Sequence, residues 1–122
     1  MREIKFRCWD EINKKIFMPL ELDQGSKDNK IYMVRDNFLS LKSIKKDKIV
    51  LMQYVGLKDK NGKDIYEGDI VKWEEENDLY SNTIKIKEKV YLDDGQFIPF
   101  NEIRGYLVEV IGNIYENPDL LK

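Results

Sequence analysis

The sequence predicts a mostly β protein whose C-terminal half is a small β-barrel. Short apolar and β-branched runs recur between frequent turn signals, and the sequence shows no sustained helical period. From Gln53 onward about five such runs follow one another, which is the number that a small barrel needs. A sharp bend predicted within this half fits the same interpretation, because small barrels close through strands that bend and continue.

The segment Tyr54–Trp73 carries the strongest turn signals. Asn61-Gly62 between strand-like residues predicts a two-residue type I′ hairpin turn, in which both residues adopt positive φ. Gly68, which precedes Asp69, interrupts an otherwise strand-like stretch and predicts a bulge or a tight corner. We therefore treat these four turn residues as a structural motif of the fold.

The residues before this segment predict a strand-rich N-terminal part. Ile4–Cys8 alternates apolar and basic residues, as a half-buried strand does, and Ile49–Tyr54 reads as a central strand. Between them, the polar stretch Glu21–Lys30 predicts a mobile loop. The predicted organisation is an N-terminal β-rich part, residues 1–52, packed on or extending a barrel of residues 53–122.

The remaining elements of the C-terminal half follow from composition and turn chemistry. The acidic run Glu74–Asp78 predicts a loop, and the alternation in Thr83–Lys87 predicts a strand. Asp93–Gly95 predicts a second hairpin turn, and Tyr106–Ile111 a further strand. Asn117-Pro118 is a helix-start signal, with room for one helical turn before the last residue of the sequence.

Three stretches, taken together, carry a family resemblance. They are Met1–Arg7 followed by Trp9-Asp10, Gln53–Val71, and Val110–Leu121, so they extend from end to end. This combination resembles the YopX-type phage proteins, small proteins of bacteriophages and prophages of Gram-positive bacteria. The resemblance implies a small barrel of the Src-homology-3 type in the C-terminal half. It implies no activity and no catalytic residues, because no activity is established for that family.

The cysteine and histidine content excludes several kinds of site. The chain has no His and one Cys, Cys8, so His-based catalysis, an intramolecular disulfide and an ordinary zinc site are excluded. Cys8 alternates with Ile4 and Phe6, which predicts that its side chain is buried as a small hydrophobic group. The resemblance to the family leads us to expect a small residue such as Ala at this position. Without an apolar run of spanning length or a signal peptide, we expect a cytoplasmic protein of the host cell with no membrane partner.

A cluster of oxygen-bearing side chains offers a cation site as an alternative to a solvated hairpin tip. An EF-hand needs Gly at the sixth position and a bidentate Glu at the twelfth, but with Asp59 as the first position Gly62 is the fourth and Ile70 the twelfth. We therefore expect a solvated tip, with no metal and no cofactor. The residues in question are Asp59, Asn61, Asp64, Glu67 and Asp69.

A lysine pattern offers a nucleic-acid-binding face. Lys85, Lys87 and Lys89 fall on one face of the predicted strand, and Trp73 and Tyr91 stand in neighbouring elements. Lysines can follow a phosphate backbone while bases stack on aromatic rings. However, the net charge of −2 lacks the basic excess typical of nucleic-acid-binding proteins.

These observations favour a non-enzymatic accessory or regulatory protein that binds an unidentified protein partner. Nucleic-acid binding through the lysine face is the alternative. Oligomerisation is also expected, because the strand-rich N-terminal half is too small to bury both faces of a sheet by itself.

Overall fold

The computed structural model describes residues 5–19, 21–24, 31–35, 41–45, 48–77, 79–80 and 82–122, with backbone alone for 21–24, 31–35 and 41–45. Within these residues the chain forms twelve strands, β1 to β12, and two short 3₁₀ segments at Gly105–Leu107 and Pro118–Leu121. The predicted mostly β fold class is confirmed. The chain divides into two compact units, Ile4–Gln53 and Tyr54–Lys122. The division of residues 1–52 and 53–122 into separate domains stays a prediction.

The N-terminal unit contains an antiparallel sheet built around β1 (Phe6–Asp10). β1 pairs on one side with β2 (Lys15–Phe17) and on the other with the first half of β6 (Ile49–Lys58). In this register Cys8 lies opposite both Phe17 and Leu51. Cys8 is fully buried in this cluster, as predicted, and burial raises the pKa of its thiol to about 12.

The β1–β2 turn is held by the Asp10 carboxylate. The backbone N–H groups of Ile12 and Asn13 donate to Asp10 Oδ1 at 2.9 and 3.1 Å, and Asn13 Nδ2 donates to Oδ2 at 2.8 Å. Burial by itself would raise the pKa of Asp10, but these hydrogen bonds outweigh it and hold the pKa below its ordinary value. The carboxylate therefore supplies acceptors that a tight turn of this kind needs.

A second sheet of the N-terminal unit is formed by β3 (Glu21–Gln24), β4 (Ile31–Arg35) and β5 (Leu41–Lys45), antiparallel and in that order. The loop predicted for Glu21–Lys30 is therefore wrong for its first four residues, which pair with β4. The register places Leu22 opposite Val34, an apolar cross-strand pair of the kind that stabilises sheets. The rest of the predicted loop, residues 25–30, lies outside the described residues.

The C-terminal unit contains the second half of β6 and six further strands. They are β7 (Asp64–Tyr66), β8 (Asp69–Asn77), β9 (Asn82–Lys89), β10 (Tyr91–Asp93), β11 (Gln96–Ile98) and β12 (Glu109–Asn113). All pairings are antiparallel: β6 with β7, β10 with β11, and β12, β8 and β9 in one three-stranded sheet. The core of this unit is a cluster of Val55, Ile65, Val71, Trp73, Val90, Phe97, Val108 and Val110.

The β6–β7 hairpin closes with a three-residue loop. Asp59 N–H donates to the Lys63 carbonyl at 2.8 Å, and Gly62 N–H donates to the Asp59 carbonyl at 3.0 Å. Gly62 has a φ of 82°, whereas Asn61 is not among the residues with positive φ. This is a type I turn followed by a left-handed residue, so the predicted type I′ turn at Asn61-Gly62 is wrong. The N–H groups of Asn61 and Lys63 both donate to Asp59 Oδ1 at 2.9 Å, which stabilises the wider loop.

A type I′ turn forms instead at the β10–β11 hairpin. Asp93 pairs directly with Gln96, which leaves Asp94 and Gly95 as a two-residue loop with φ of 50° and 77°. The predicted second hairpin is confirmed. The corner predicted at Gly68 is also confirmed, since this residue has a φ of 85° between β7 and β8.

The acidic run Glu74–Glu76 belongs to β8, so the predicted loop is wrong here, and Asp78 lies outside the described residues. Glu74 lies opposite Lys85 and Glu75 opposite Ile84 in β9. This half of the β8–β9 hairpin is exposed on both faces, so charged side chains remain hydrated within a strand. A charge run thus marked solvent exposure rather than a loop.

The strand predicted at Tyr106–Ile111 is wrong in its first residues. Gly105–Leu107 forms a short 3₁₀ helix, and β12 begins only at Glu109. We call this helix the groove helix, because Gly105 and Tyr106 line a surface groove of the C-terminal unit. β12 then continues to Asn113 through a register shift between Val110 and Gly112. The helical turn predicted after Asn117 is confirmed as the 3₁₀ segment Pro118–Leu121.

We expect Gly62→Val to lower the free energy of unfolding by at least about 1 kcal/mol, because a β-branched residue at positive φ is strained. No atom lies within 4 Å of the Cβ position at residue 62, so a loss would report backbone strain rather than a clash. Gly62→Asn is the matched control, since Asn tolerates the left-handed region. Urea unfolding compares the three proteins, and equal stability of the two variants would contradict this argument.

Candidate functional site

An open groove of about 740 Å³ runs along the C-terminal unit. One wall is the end of β6, residues Tyr54 and Gly56–Lys58, and the other is the segment Phe100–Tyr106. Tyr54 is 6% exposed, and its ring stacks at a tilt on Tyr66 with 5.6 Å between centroids. The groove therefore has a packed aromatic base beneath an open mouth.

Gly105 sets the width of the groove. A Cβ at this position would lie 3.0 Å from Leu57 Cβ and 3.0 Å from the Lys58 carbonyl oxygen. Only a residue without a side chain lets the groove helix approach β6 this closely. The close approach brings the groove helix beside Leu57 at the rim.

The rim displays apolar side chains to solvent. Tyr106 is 62% exposed, Leu107 is 51% exposed and Leu57 is 37% exposed. Adjacent exposed apolar groups around a concavity are typical of interaction sites. Such a rim offers contact area to a partner whose own apolar groups enter the groove.

The charges near the groove are mixed. Lys58 Nζ lies 2.9 Å from Asp64 Oδ1, so an ion pair takes up its charge. Glu102 and Arg104 also line the groove, and both are exposed. The lining of the groove therefore carries both positive and negative side chains beside its apolar residues.

The lysine face lies on the outer side of the β12–β8–β9 sheet. Directly opposite residues share a face, so Lys85 lies beside Glu74 and Lys87 beside Lys72. Glu109 of β12 faces Lys72 and forms ion pairs of 3.6 Å with it and 3.5 Å with Lys60. The face is therefore a mixed-charge surface with a lysine-rich outer strand.

The structure separates Trp73 from the lysines that the sequence grouped with it. Trp73 lies opposite Ile86 on the inner face, is 9% exposed, and donates its indole N–H to Glu75 Oε1 at 3.0 Å. Its ring packs in the core and faces away from Lys85 and Lys87. Its position leaves no indole available on the lysine face for stacking.

Lys89 and Tyr91 do come together. The Lys89 ammonium lies 5.6 Å from the centre of the Tyr91 ring, within the range of a cation–π interaction. Tyr91 is 41% exposed, and both residues line a depression of about 430 Å³ with Glu88, Ile98, Pro99, Asn101 and Glu102. Of the five residues predicted to form a nucleic-acid-binding face, Lys85, Lys87 and Lys89 share one face of β9. Tyr91 lies next to Lys89, at the end of that face.

The Asp59 carboxylate connects the hairpin tip to a distant strand. Besides the N–H groups of Asn61 and Lys63, it accepts the N–H of Val110 in β12 at 3.0 Å, and Lys60 N–H donates to the Val108 carbonyl at 2.9 Å. Burial by itself would raise the pKa of Asp59, but the three backbone donors outweigh it and lower the pKa. Asp59 therefore acts as a structural carboxylate.

The turn at Gly68 is a second structural junction. Asp69 Oδ2 accepts the N–H of Tyr66 at 2.9 Å. Gly68 N–H donates to the Val90 carbonyl, and the Gly68 carbonyl accepts the N–H of Ile114, both at 2.8 Å. The four motif residues Asn61, Gly62, Gly68 and Asp69 thus lie at turns that join strands. None of these four residues lines the groove.

Three of the four carboxylates that suggested a cation site face donors of the chain itself. Asp59 and Asp69 accept backbone N–H groups, and Asp64 is paired with Lys58. Among the described residues, no group of three or more His, Cys, Asp or Glu side chains is arranged to hold a metal ion.

Sequence reasoning missed the groove residues Gly105 and Tyr106 and the neighbouring Leu107. It placed Tyr106–Ile111 in one strand, where alternation would have buried part of this set. The available signal was Gly105 before two large apolar residues, a pattern that fits a tight turn displaying them. The contact of Gly105 with Leu57 joins residues far apart in the chain, and sequence alone does not reveal it.

Comparison with known proteins places this fold in a family. The family model described as YopX protein matches residues 5–122. The chain belongs to the YopX family. Among solved structures, protein EF1440 from Enterococcus faecalis is similar to this YopX family member, with a TM-score of 0.64, 27% identity and 100% of each chain covered. No curated protein matches the chain.

The family assignment confirms the resemblance read from the three sequence stretches. Within the described ranges of this YopX chain, no helix has both the length and the apolar character that crossing a membrane requires.

We expect Asp59→Asn to cost about 1–3 kcal/mol at neutral pH, because the amide nitrogen turned toward Val110 N–H leaves a buried donor without an acceptor. The folded-state pKa of Asp59 is lowered. Its stabilisation is therefore complete above the unfolded value of about 3.9 and is lost as pH falls through the folded value.

The stability gap between the wild type and Asp59→Asn should accordingly narrow below about pH 4. Urea unfolding across a pH series measures that gap, and Asp93→Asn, at an exposed strand aspartate, is the matched control. A gap that stays constant down to low pH would contradict a charged Asp59 in the folded state.

Proposed function

We propose that this YopX family member is a non-enzymatic accessory or regulatory protein, a binding module for a protein partner. The observation that carries the proposal is the groove beside Gly105, with Leu57 and Tyr106 exposed at its rim and Leu107 exposed next to Tyr106 in the chain. Aromatic and aliphatic groups at the centre of an interface contribute most of its binding energy. The partner's apolar side chains enter the open mouth of the groove and pack against its exposed apolar rim.

The groove chemistry supports a binding role over catalysis. The lining residues include one carboxylate, Glu102, and two cations, Lys58 and Arg104, and Lys58 is already paired with Asp64. Acid–base catalysis generally needs two groups set within reach of one reacting bond. Binding of an extended segment needs only the concave surface and its exposed rim.

We further infer that the C-terminal unit is a small barrel of the Src-homology-3 type. Its short antiparallel strands, the sharp corner at Gly68 and the 3₁₀ groove helix before the last strand support this inference. Small barrels of this kind often serve as recognition modules, which agrees with the proposed role as fold-level analogy.

The proposed setting is the cytoplasm of a bacterial host during phage or prophage gene expression. It rests on family membership together with a single Cys8 that is buried and carries no disulfide. Self-association of the protein stays a prediction, which sedimentation velocity measures directly.

A second candidate function is nucleic-acid binding through Lys85, Lys87, Lys89 and Tyr91. The cation–π pair of Lys89 and Tyr91 favours it, because an exposed ring beside a cation suits stacking of a base. The acidic neighbours Glu74 and Glu109 and the net charge of −2 oppose it. It therefore ranks below the protein-binding module.

The groove proposal predicts that Tyr106→Ala with Leu107→Ala abolishes capture of a partner from a Gram-positive lysate. Loss of an aromatic anchor costs about 2 kcal/mol or more, which reduces binding at least tenfold. Leu79→Ala with Tyr80→Ala is the matched control, since it makes the same changes at residues 87% and 75% exposed. Mass spectrometry quantifies the captured protein, and equal capture by both double variants would sink the proposal.

The nucleic-acid alternative predicts that a labelled single strand binds at low salt and that Lys85→Glu with Lys87→Glu removes this binding. Affinity should also fall steeply toward physiological salt, because each phosphate contact releases counterions. Fluorescence anisotropy at two salt concentrations makes the measurement. Absence of binding at low salt would end this alternative.

A further inference from the structure

β9 is the outer strand of its sheet. Within the described part of the chain, β8 is its one strand neighbour, so the opposite edge of Asn82–Lys89 is not paired with another strand. Six of its eight residues are exposed. An unpaired edge carries N–H and C=O groups that can accept a further strand.

The two faces of β9 differ in chemistry. Lys85, Lys87 and Lys89 alternate along one face, whereas Ile84 and Ile86 lie on the other, with Ile84 43% exposed. Among the described residues, Lys85 and Lys87 form no ion pair, whereas Lys72 in the neighbouring strand β8 is paired with Glu109. The edge therefore presents a lysine-rich face, in which Lys85 lies opposite Glu74, and a second face that carries Ile84 and Ile86 together with Glu88.

A second copy of β9 is a poor occupant of this edge. In the two antiparallel self-pairings that overlap most of the strand, Lys85 lies opposite Lys85 or Lys87 of the second copy. Like charges directly opposite each other destabilise a sheet. The lysines thus disfavour self-association through this edge and favour a strand of opposite charge.

We propose that the free edge of β9 binds an acidic peptide segment in extended conformation, added to the sheet as a further strand. Its Asp or Glu residues alternate and lie beside Lys85, Lys87 and Lys89, and its intervening apolar residues lie beside Ile84 and Ile86. Backbone hydrogen bonds provide affinity, and the lysines select the acidic segment. This edge is separate from the groove, so the two proposals are tested independently.

The depression at the Lys89 end extends this edge. Its wall includes Tyr91, Ile98 and Pro99, which offers apolar surface immediately beyond the last lysine. A segment paired along β9 therefore places one apolar or aromatic side chain in this depression. The recognised pattern is an alternating acidic strand followed by a large apolar residue.

The test uses the full chain and a fluorescent peptide of about eight residues, the length of β9, with Glu and Val alternating and a Phe at one end. Anisotropy should show binding to the wild type and at least about a tenfold loss with Lys85→Glu and Lys87→Glu. The same variant should instead bind a peptide in which Lys replaces Glu. Lys63→Glu with Lys122→Glu changes net charge equally at exposed sites and should leave binding of the acidic peptide unchanged.

Amide hydrogen exchange distinguishes strand addition from simple charge attraction. The acidic peptide should slow exchange of the N–H groups on the free edge of β9, and Tyr106→Ala with Leu107→Ala should leave this effect intact. Binding without protection of β9, or no binding at low salt, overturns the proposal. Displacement of the peptide by a tighter-binding single-stranded oligonucleotide also overturns it and assigns the face to nucleic acid.

Discussion

The Asp59 carboxylate is the constraint on which the C-terminal unit depends. One oxygen accepts two N–H groups of its own hairpin loop, and the other accepts Val110 N–H, 51 residues away. Short polar side chains accept backbone N–H groups at other turns as well. Asp10 accepts the N–H groups of the β1–β2 turn, and Asn113 Oδ1 accepts those of Tyr115 and Glu116. A chain of short strands has many turns with unpaired donors, and these residues provide the acceptors.

The same hydrogen bonds position the groove. Because Asp59 and Lys60 hold Val110 and Val108, the segment leading into β12 lies beside the end of β6. Gly105 then permits the close contact that turns Tyr106 and Leu107 to solvent. The exposed rim is thus a consequence of interior hydrogen bonding and one missing side chain. These contacts explain how short strands and turns build a shaped surface at this place.

Local features of the fold were predictable, and features that depend on distant contacts were not. Glycine positions signalled the turns at Gly62, Gly68 and Gly95, because positive φ is a property of the residue itself. The turn type at Gly62 depends on Asp59, which is also held by a remote strand. Trp73 was grouped with the lysines because strand pairing is invisible in sequence, and a shift of one residue would have reversed its face. The acidic residues Glu74–Glu76 are exposed as their charge predicts, but they lie in a strand and not in a loop. Charged composition therefore predicted exposure to solvent better than it predicted backbone conformation.

The buried thiol of Cys8 has a practical consequence. With no exposed surface and a pKa raised to about 12, it is almost entirely protonated and inaccessible to alkylating reagents at neutral pH. A reagent reaches it only when β1 separates from β2 or β6. The rate of alkylation therefore measures the opening free energy of that sheet in the unmodified protein. The chain contains an intrinsic reporter of local unfolding in its N-terminal unit.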